Sequence, residues 1–177
     1  MTTENPALGP AEVVVIVGNP QAGSRTAGIA RRVGERVAAV TSLEGVALID
    51  LADAPEGLLR RQDPAVAEQR ATVLAARALV VASPTYKASF TGLVKLFLDT
   101  FGQGELAGTP TVALMTGGSA HHSLAVAQHL VPVLVEIGAS CPTPGLYLSG
   151  PEVDDPEPAI DRWLAGAGPV LARALRR

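Results

Sequence analysis

VVVIVGNPQAGSRTAGIARRVGERVAAV (13–40) is the stretch that decides the fold. Its first five residues are all apolar and β-branched, and they stop at Gly18. A strand with one wet face would alternate apolar and polar side chains. An unbroken run belongs instead to a strand covered on both faces, as in a parallel sheet layered between helices. After Gly18 the loop NPQAGSR carries turn formers and polar side chains. Helical spacing then takes over, with Ile29, Val33, Val37 and Val40 on one face of a helix over 26–40. Buried strand, glycine-bearing loop and amphipathic helix make the opening unit of an α/β domain.

The alternation continues along the chain. GVALIDL (45–51), ALVVA (78–82), TPTVALMT (109–116) and a segment within SCPTPGLYLSG (140–150) read as four further strands. Asp63-Pro64 supplies an N-cap and first-turn pair for a helix over 64–76, and Gly92 opens another that reaches Phe101. A helix over 123–138 contains Pro132, which should kink or bend it. The closing segment 156–177 is expected to be a helix interrupted at Gly166–Pro169. Five buried strands alternating with helices predict a doubly wound α/β domain with a five-stranded parallel sheet. The flavodoxin-like order 2-1-3-4-5 suits five strands better than a six-stranded dinucleotide sheet. At 177 residues the expectation is a single domain over 1–177, with 1–11 a flexible lead-in. Ligands of such sheets bind outside the C-terminal strand ends, where the order reverses between strands 1 and 3. GNPQAGSRT (18–26) and SPTYKASFTG (83–92) follow those two strands, so they should share one crevice.

Composition narrows the function classes. Apolar residues are 47% and charged residues 18%, as in a globular domain. A net charge of -3 gives no electrostatic case for nucleic acid or an anionic membrane, and 3% aromatics gives none for base stacking. The single Cys141 excludes an internal disulfide and a cysteine-built metal site, and reads as a small core residue. MTTENPALGPAE lacks the basic and apolar regions of a signal peptide, and no run is long enough to span a membrane. A cytoplasmic protein is expected.

In the first loop, a helix N-terminus with hydroxyls at Ser24 and Thr26 and a cation at Arg25 is suited to an anion. Gly18 and Gly23 have the spacing of a P-loop, but Ser24-Arg25 stands where that loop needs Lys followed by Ser or Thr. A monophosphate therefore fits better than a triphosphate, and a plain capped turn is the bland alternative. In the second loop, Pro84 should end the strand, leaving Thr85 through Ser89 to present backbone N–H groups to a flat heterocycle. Gly92 should let the next helix start close to the sheet. That helix is apolar on nearly every side except Lys95 and Asp99, which predicts a dimer contact. Thr116-Gly117-Gly118-Ser119, after the fourth strand, either admits a ligand plane or makes a tight turn. His121 and His122 are adjacent and cannot face one metal from a helix, so no metal site is expected, and His129 reads as an interface or surface residue.

GNPQAGSRT, PTYKASFTGLVKLFLD (84–99) and TGGSAHHSLAVAQHLVPVL (116–134) together resemble the flavodoxin-like NAD(P)H-dependent FMN reductases, and more narrowly those that supply reduced flavin to sulfonate-desulfonating monooxygenases. The resemblance runs from the first strand through GLYL. It implies that Ser24, Arg25 and Thr26 bind the FMN phosphate, and that Pro84, Thr85, Tyr86, Lys87, Ala88 and Ser89 line the isoalloxazine ring. Thr116, Gly117 and Gly118 would contact the ring or the incoming nicotinamide of NADPH or NADH. It implies a homodimer or homotetramer with the helix bearing AVAQHLVPVL at a contact; some members have an interface aromatic there, where this chain has Gln128 and His129. The expected chemistry is hydride transfer from nicotinamide to flavin with no acid–base triad, Lys87 adding a charge near the reduced ring. The alternatives are an FMN-bound reductase of quinones, azo dyes or chromate, a non-enzymatic flavin electron carrier, and a scaffold that has lost flavin.

Overall fold

The computed structural model describes residues 11–60 and 62–176; apart from Ala11, the expected lead-in lies outside the described residues. Five strands, β1 (Val13–Val17), β2 (Val46–Asp50), β3 (Ala78–Pro84), β4 (Thr111–Gly117) and β5 (Leu146–Ser149), form one sheet in the order β2-β1-β3-β4-β5. Every pairing is parallel, with Val15 opposite both Leu48 and Val80. The helices are α1 (Arg25–Thr41), α2 (Pro64–Ala75), α3 (Gly92–Leu98), α4 (Val131–Glu136), α5 (Pro151–Asp154) and α6 (Glu157–Ala174). The expected fold class and strand order are the observed ones.

The unbroken apolar run of β1 has a direct cause. Val14 and Ile16 point into a layer built with Val94 and Phe97 of α3 and Leu134 of α4, while Val13, Val15 and Val17 point into a second layer with Ile29 and Val33 of α1 and Ile160 of α6. None of the five is more than 1% exposed. Each such side chain contributes about 1.5–3 kcal/mol of burial. A polar residue anywhere in β1 would enter one dry layer or the other.

Three local expectations are corrected. α6 is continuous through Pro169, where an interruption was expected. Pro169 is exposed, and Ala167, Gly168 and Leu171 on either side of it are buried, so packing holds the helix across the missing N–H. The helix expected over 123–138 follows a short 3-10 turn at Ala120–His122 and is itself divided into a π segment at Val126–Leu130 and then α4. Val131 N–H reaches back to the carbonyl of Val126, so the bend attributed to Pro132 takes the form of a widened turn just before it. α3 stops at Leu98, and turn bonds from Thr100 and Phe101 carry the chain on to a buried Phe101.

Among the described residues no helix is long and apolar enough to cross a membrane. Cys141 is half-buried, and burial pushes its thiol up to about 11.

Candidate active site

The loop after β1 is pinned at both ends. Gly18 donates to the carbonyl of Ala82 at 2.9 Å, and a Cβ on it would lie 2.1 Å from Val94 Cγ2. Gly18, not the exposed Gly92 with open space around it, is the glycine that lets α3 approach the sheet. Further along, Asn19 Oδ1 accepts the amide of Gln21, and Gly23, at φ +62°, donates to Asp50 Oδ2 at 3.1 Å. Asp50 is buried and also accepts from Ala52, so the carboxylate at the end of β2 shapes the loop. Ser24 then caps α1, its hydroxyl accepting the amide of Ala27 at 3.2 Å. The amides of Arg25 and Thr26, in the first turn, have no acceptor within their own helix.

Two side chains from this turn reach other elements. Thr26 is buried, and its hydroxyl lies 2.9 Å from that of the buried Thr116 at the end of β4. Asn19 Nδ2 donates to the same Thr26 oxygen. Arg25 extends outward to Asp154 of α5, with Nη1 to Oδ1 at 2.8 Å.

The end of β3 is tied down on the other side. Ser83 Oγ accepts the amide of Thr91, and Thr91 Oγ1 donates to the carbonyl of Gly18. Thr85 donates its amide to the carbonyl of Thr116 at 2.6 Å. Tyr86 and Ser89 exchange both backbone hydrogen bonds, closing a two-residue turn in which Lys87 and Ala88 have φ of +50° and +64°. Of the amides expected to face a ligand over 85–89, three are therefore bonded within the protein. Those of Lys87 and Ala88 sit at the turn's tip.

These loops enclose a crevice of about 640 Å³ at the C-terminal edge of the sheet, a normal size for a small-molecule site. Ser24, Arg25 and Thr26 form one side, Pro84, Thr85 and Tyr86 another, and Thr116, Gly117 and Gly118 a third. Lys87, Ala88 and Ser89 do not line it, and Lys87 is exposed. Asn19, Gln21 and Gly23 join from the first loop, and Gly150, Val153 and Asp154 from the turn after β5, which sequence reasoning did not single out. The end of β5 lies at the same sheet edge, so the strand-end rule would have reached that turn. Gly117 is glycine because a Cβ there would lie 2.0 Å from Tyr147 Oη, whereas Gly118 has open space. Thr85 Oγ1 is buried at this wall without a protein partner.

A cleft of similar size, about 650 Å³, lies at the opposite edge beside Arg77, Thr109, Ser140 and Arg173. It gathers none of the loops that follow the strands' C-terminal ends. Among the described residues no group of His, Cys, Asp or Glu is placed to hold a metal.

Residues 11–152 match the family of NADPH-dependent FMN reductases. The chain belongs to that family. A relative described as NADH-dependent FMN reductase SfnF, from Pseudomonas putida, is 36% identical over 143 residues, covering 77% of this chain and 76% of that protein. A solved structure described as an NADH:FMN oxidoreductase (EMOB) in its apo form superposes with a TM-score of 0.74 at 33% identity, covering 86% of this chain and 88% of the other. An oxidoreductase from Corynebacterium diphtheriae superposes at 0.78 and 30% identity, covering 94% and 98%. The reductase family's fold and the crevice thus coincide in one chain. The residues present also fit FMN on their own chemistry. A helix N-terminus with Arg25 suits a phosphate, and the unpartnered Thr85 hydroxyl with the bare Gly118 suits a polar-edged ring.

Proposed function

We propose that this chain catalyses the reduction of FMN by NADH or NADPH in the crevice at the ends of β1, β3 and β4. The observation that carries the reading is the convergence of the first turn of α1 with the ends of β3 and β4. Ser24, Arg25 and Thr26 would hold the phosphate, with backbone amides and Arg25 as donors. Because the Thr26 hydroxyl is already bonded to Thr116, its amide is the better candidate. Pro84, Thr85 and Tyr86 would wall the ring, while Lys87, Ala88 and Ser89 would support that wall through the hairpin. Thr116, Gly117 and Gly118 would border the nicotinamide. When bound, FMN supplies the redox chemistry as hydride acceptor. The chain's own residues bind, orient and exclude water.

Steady-state oxidation of NADH and NADPH, with and without added FMN, tests the proposal. Rates that saturate with added FMN support it. A yellow purified protein that turns over only with a quinone, azo or chromate acceptor would support the bound-flavin alternative. No turnover with either nucleotide would sink the enzyme reading.

Three finer steps belong to the same proposal. Reduced flavin passes to a flavin-dependent monooxygenase, a reading supported by the resemblance of 84–99 and 116–134. Dependence on a nicotinamide reductant supports a cytoplasmic setting for the activity. The chain works as a homodimer or homotetramer through the faces of α3 and α4, where Leu93 and Leu96 are half-buried and Val135 is exposed. A Leu96→Glu protein should sediment as a monomer if that face is the seam, and an unchanged assembly would remove it.

A further inference from the structure

We infer that Asp154 loosens the crevice's hold on a flavin phosphate by occupying Arg25. The inference rests on the FMN reading above and deepens it. Among the described residues, Arg25 and Asp154 are the charged side chains that line the crevice, one of each sign, so their formal charges cancel. They pair at 2.8 Å across its mouth, with side chains 73% and 72% exposed. An exposed pair of this kind is held weakly and can be divided by a competing anion. Two neighbouring acids are engaged elsewhere. Asp50 accepts the amides of Gly23 and Ala52, and Glu152 on α5 pairs with Arg162 at 2.7 Å. Asp154 is thus the carboxylate that α5 directs at the first turn of α1.

A phosphate monoester carries nearly two negative charges at neutral pH. Seated at that turn, it would have to share Arg25 with Asp154 or displace the carboxylate, which would remain nearby as a like charge. Gly150, at φ +56°, turns the backbone directly out of β5 into α5 and so brings Asp154 to this edge. A site that must give its flavin up gains from the opposition. One unit charge across a solvent-filled mouth changes affinity by about threefold to tenfold.

The test is titration of FMN and of riboflavin, which lacks the phosphate, into wild type, Asp154→Asn and Asp154→Ser, followed by quenching of flavin fluorescence. Both variants should bind FMN about threefold to tenfold more tightly, with riboflavin affinity within about twofold of wild type and the gain shrinking at high salt. The riboflavin measurement also reports that each variant is folded. Wild-type FMN binding with unchanged or weakened binding by both variants would overturn the inference and leave the flavin reading standing. Equal tightening of riboflavin would overturn it too, since the effect would then not act through the phosphate. Failure of wild type to bind either flavin would remove the flavin reading, and this inference with it.

Discussion

Ala88 occupies the left-handed region without the freedom of a glycine, and Lys87 beside it does the same. Two-residue hairpin turns of this hand normally recruit Asn-Gly or Gly-Gly, because each L-residue there is disfavoured by about 1 kcal/mol. Ala88→Gly should therefore raise stability by about 0.5–1 kcal/mol, read as a higher urea midpoint at unchanged slope. The opposite case is Gly18, whose missing side chain makes room for Val94. Gly18→Ala should cost about 1–3 kcal/mol by overpacking, measured the same way. These residues also mark the limit of what the sequence discloses. Lys-Ala carries no turn signature, so nothing in SPTYKASFTG announced that Tyr86 and Ser89 would bond each other and withdraw their amides from the crevice. Ser24 was legible only in part: the sequence offered its hydroxyl to an anion and kept a plain helix cap as the alternative, and the structure shows it capping α1.

At the scale of elements, buried strands could be read directly and helix breaks could not. β1 and the first five residues of β3 announce themselves because both faces are covered, which leaves an unbroken apolar run. Proline is ambiguous by comparison. Pro132 and Pro169 remove the same hydrogen bond, yet one follows a π turn and the other sits within continuous helix. The difference lies in what packs on either side, which is tertiary information. Since Pro169 is exposed, Pro169→Ala should restore a bond without disturbing a contact and should stabilise the protein by about 1–3 kcal/mol, checked by thermal or urea unfolding. Removing the α1 cap by Ser24→Ala should cost about 1 kcal/mol and weaken FMN more than riboflavin, since it loosens the turn assigned to the phosphate.

For the whole molecule, topology told more than any motif: the order of the strands determines which loops meet, and GNPQAGSRT and SPTYKASFTG met as expected. The contribution of α5 was missed because its approach to Arg25 spans 129 residues and has no local pattern. Global stability should also respond to alkaline pH through Cys141. Its thiol ordinarily ionises near 9.0 and is pushed up to about 11 by burial, so the protonated form favours the fold. That contribution is complete below about pH 9 and declines as pH climbs towards 11. Cys141→Ser should flatten the decline, checked by urea unfolding at a series of pH values between 7 and 11. The hydroxyl bond between Thr26 and Thr116 bears on a different question, that of when the site can exist. Its two ends are 90 residues apart, and the wall opposite is finished only by the turn at Gly150. A ribosome-bound chain that exposes β1 through β3 has the loop after β1 but lacks the strand that braces it. The crevice is thus a product of the completed sheet, and the first half of the chain on its own does not possess it.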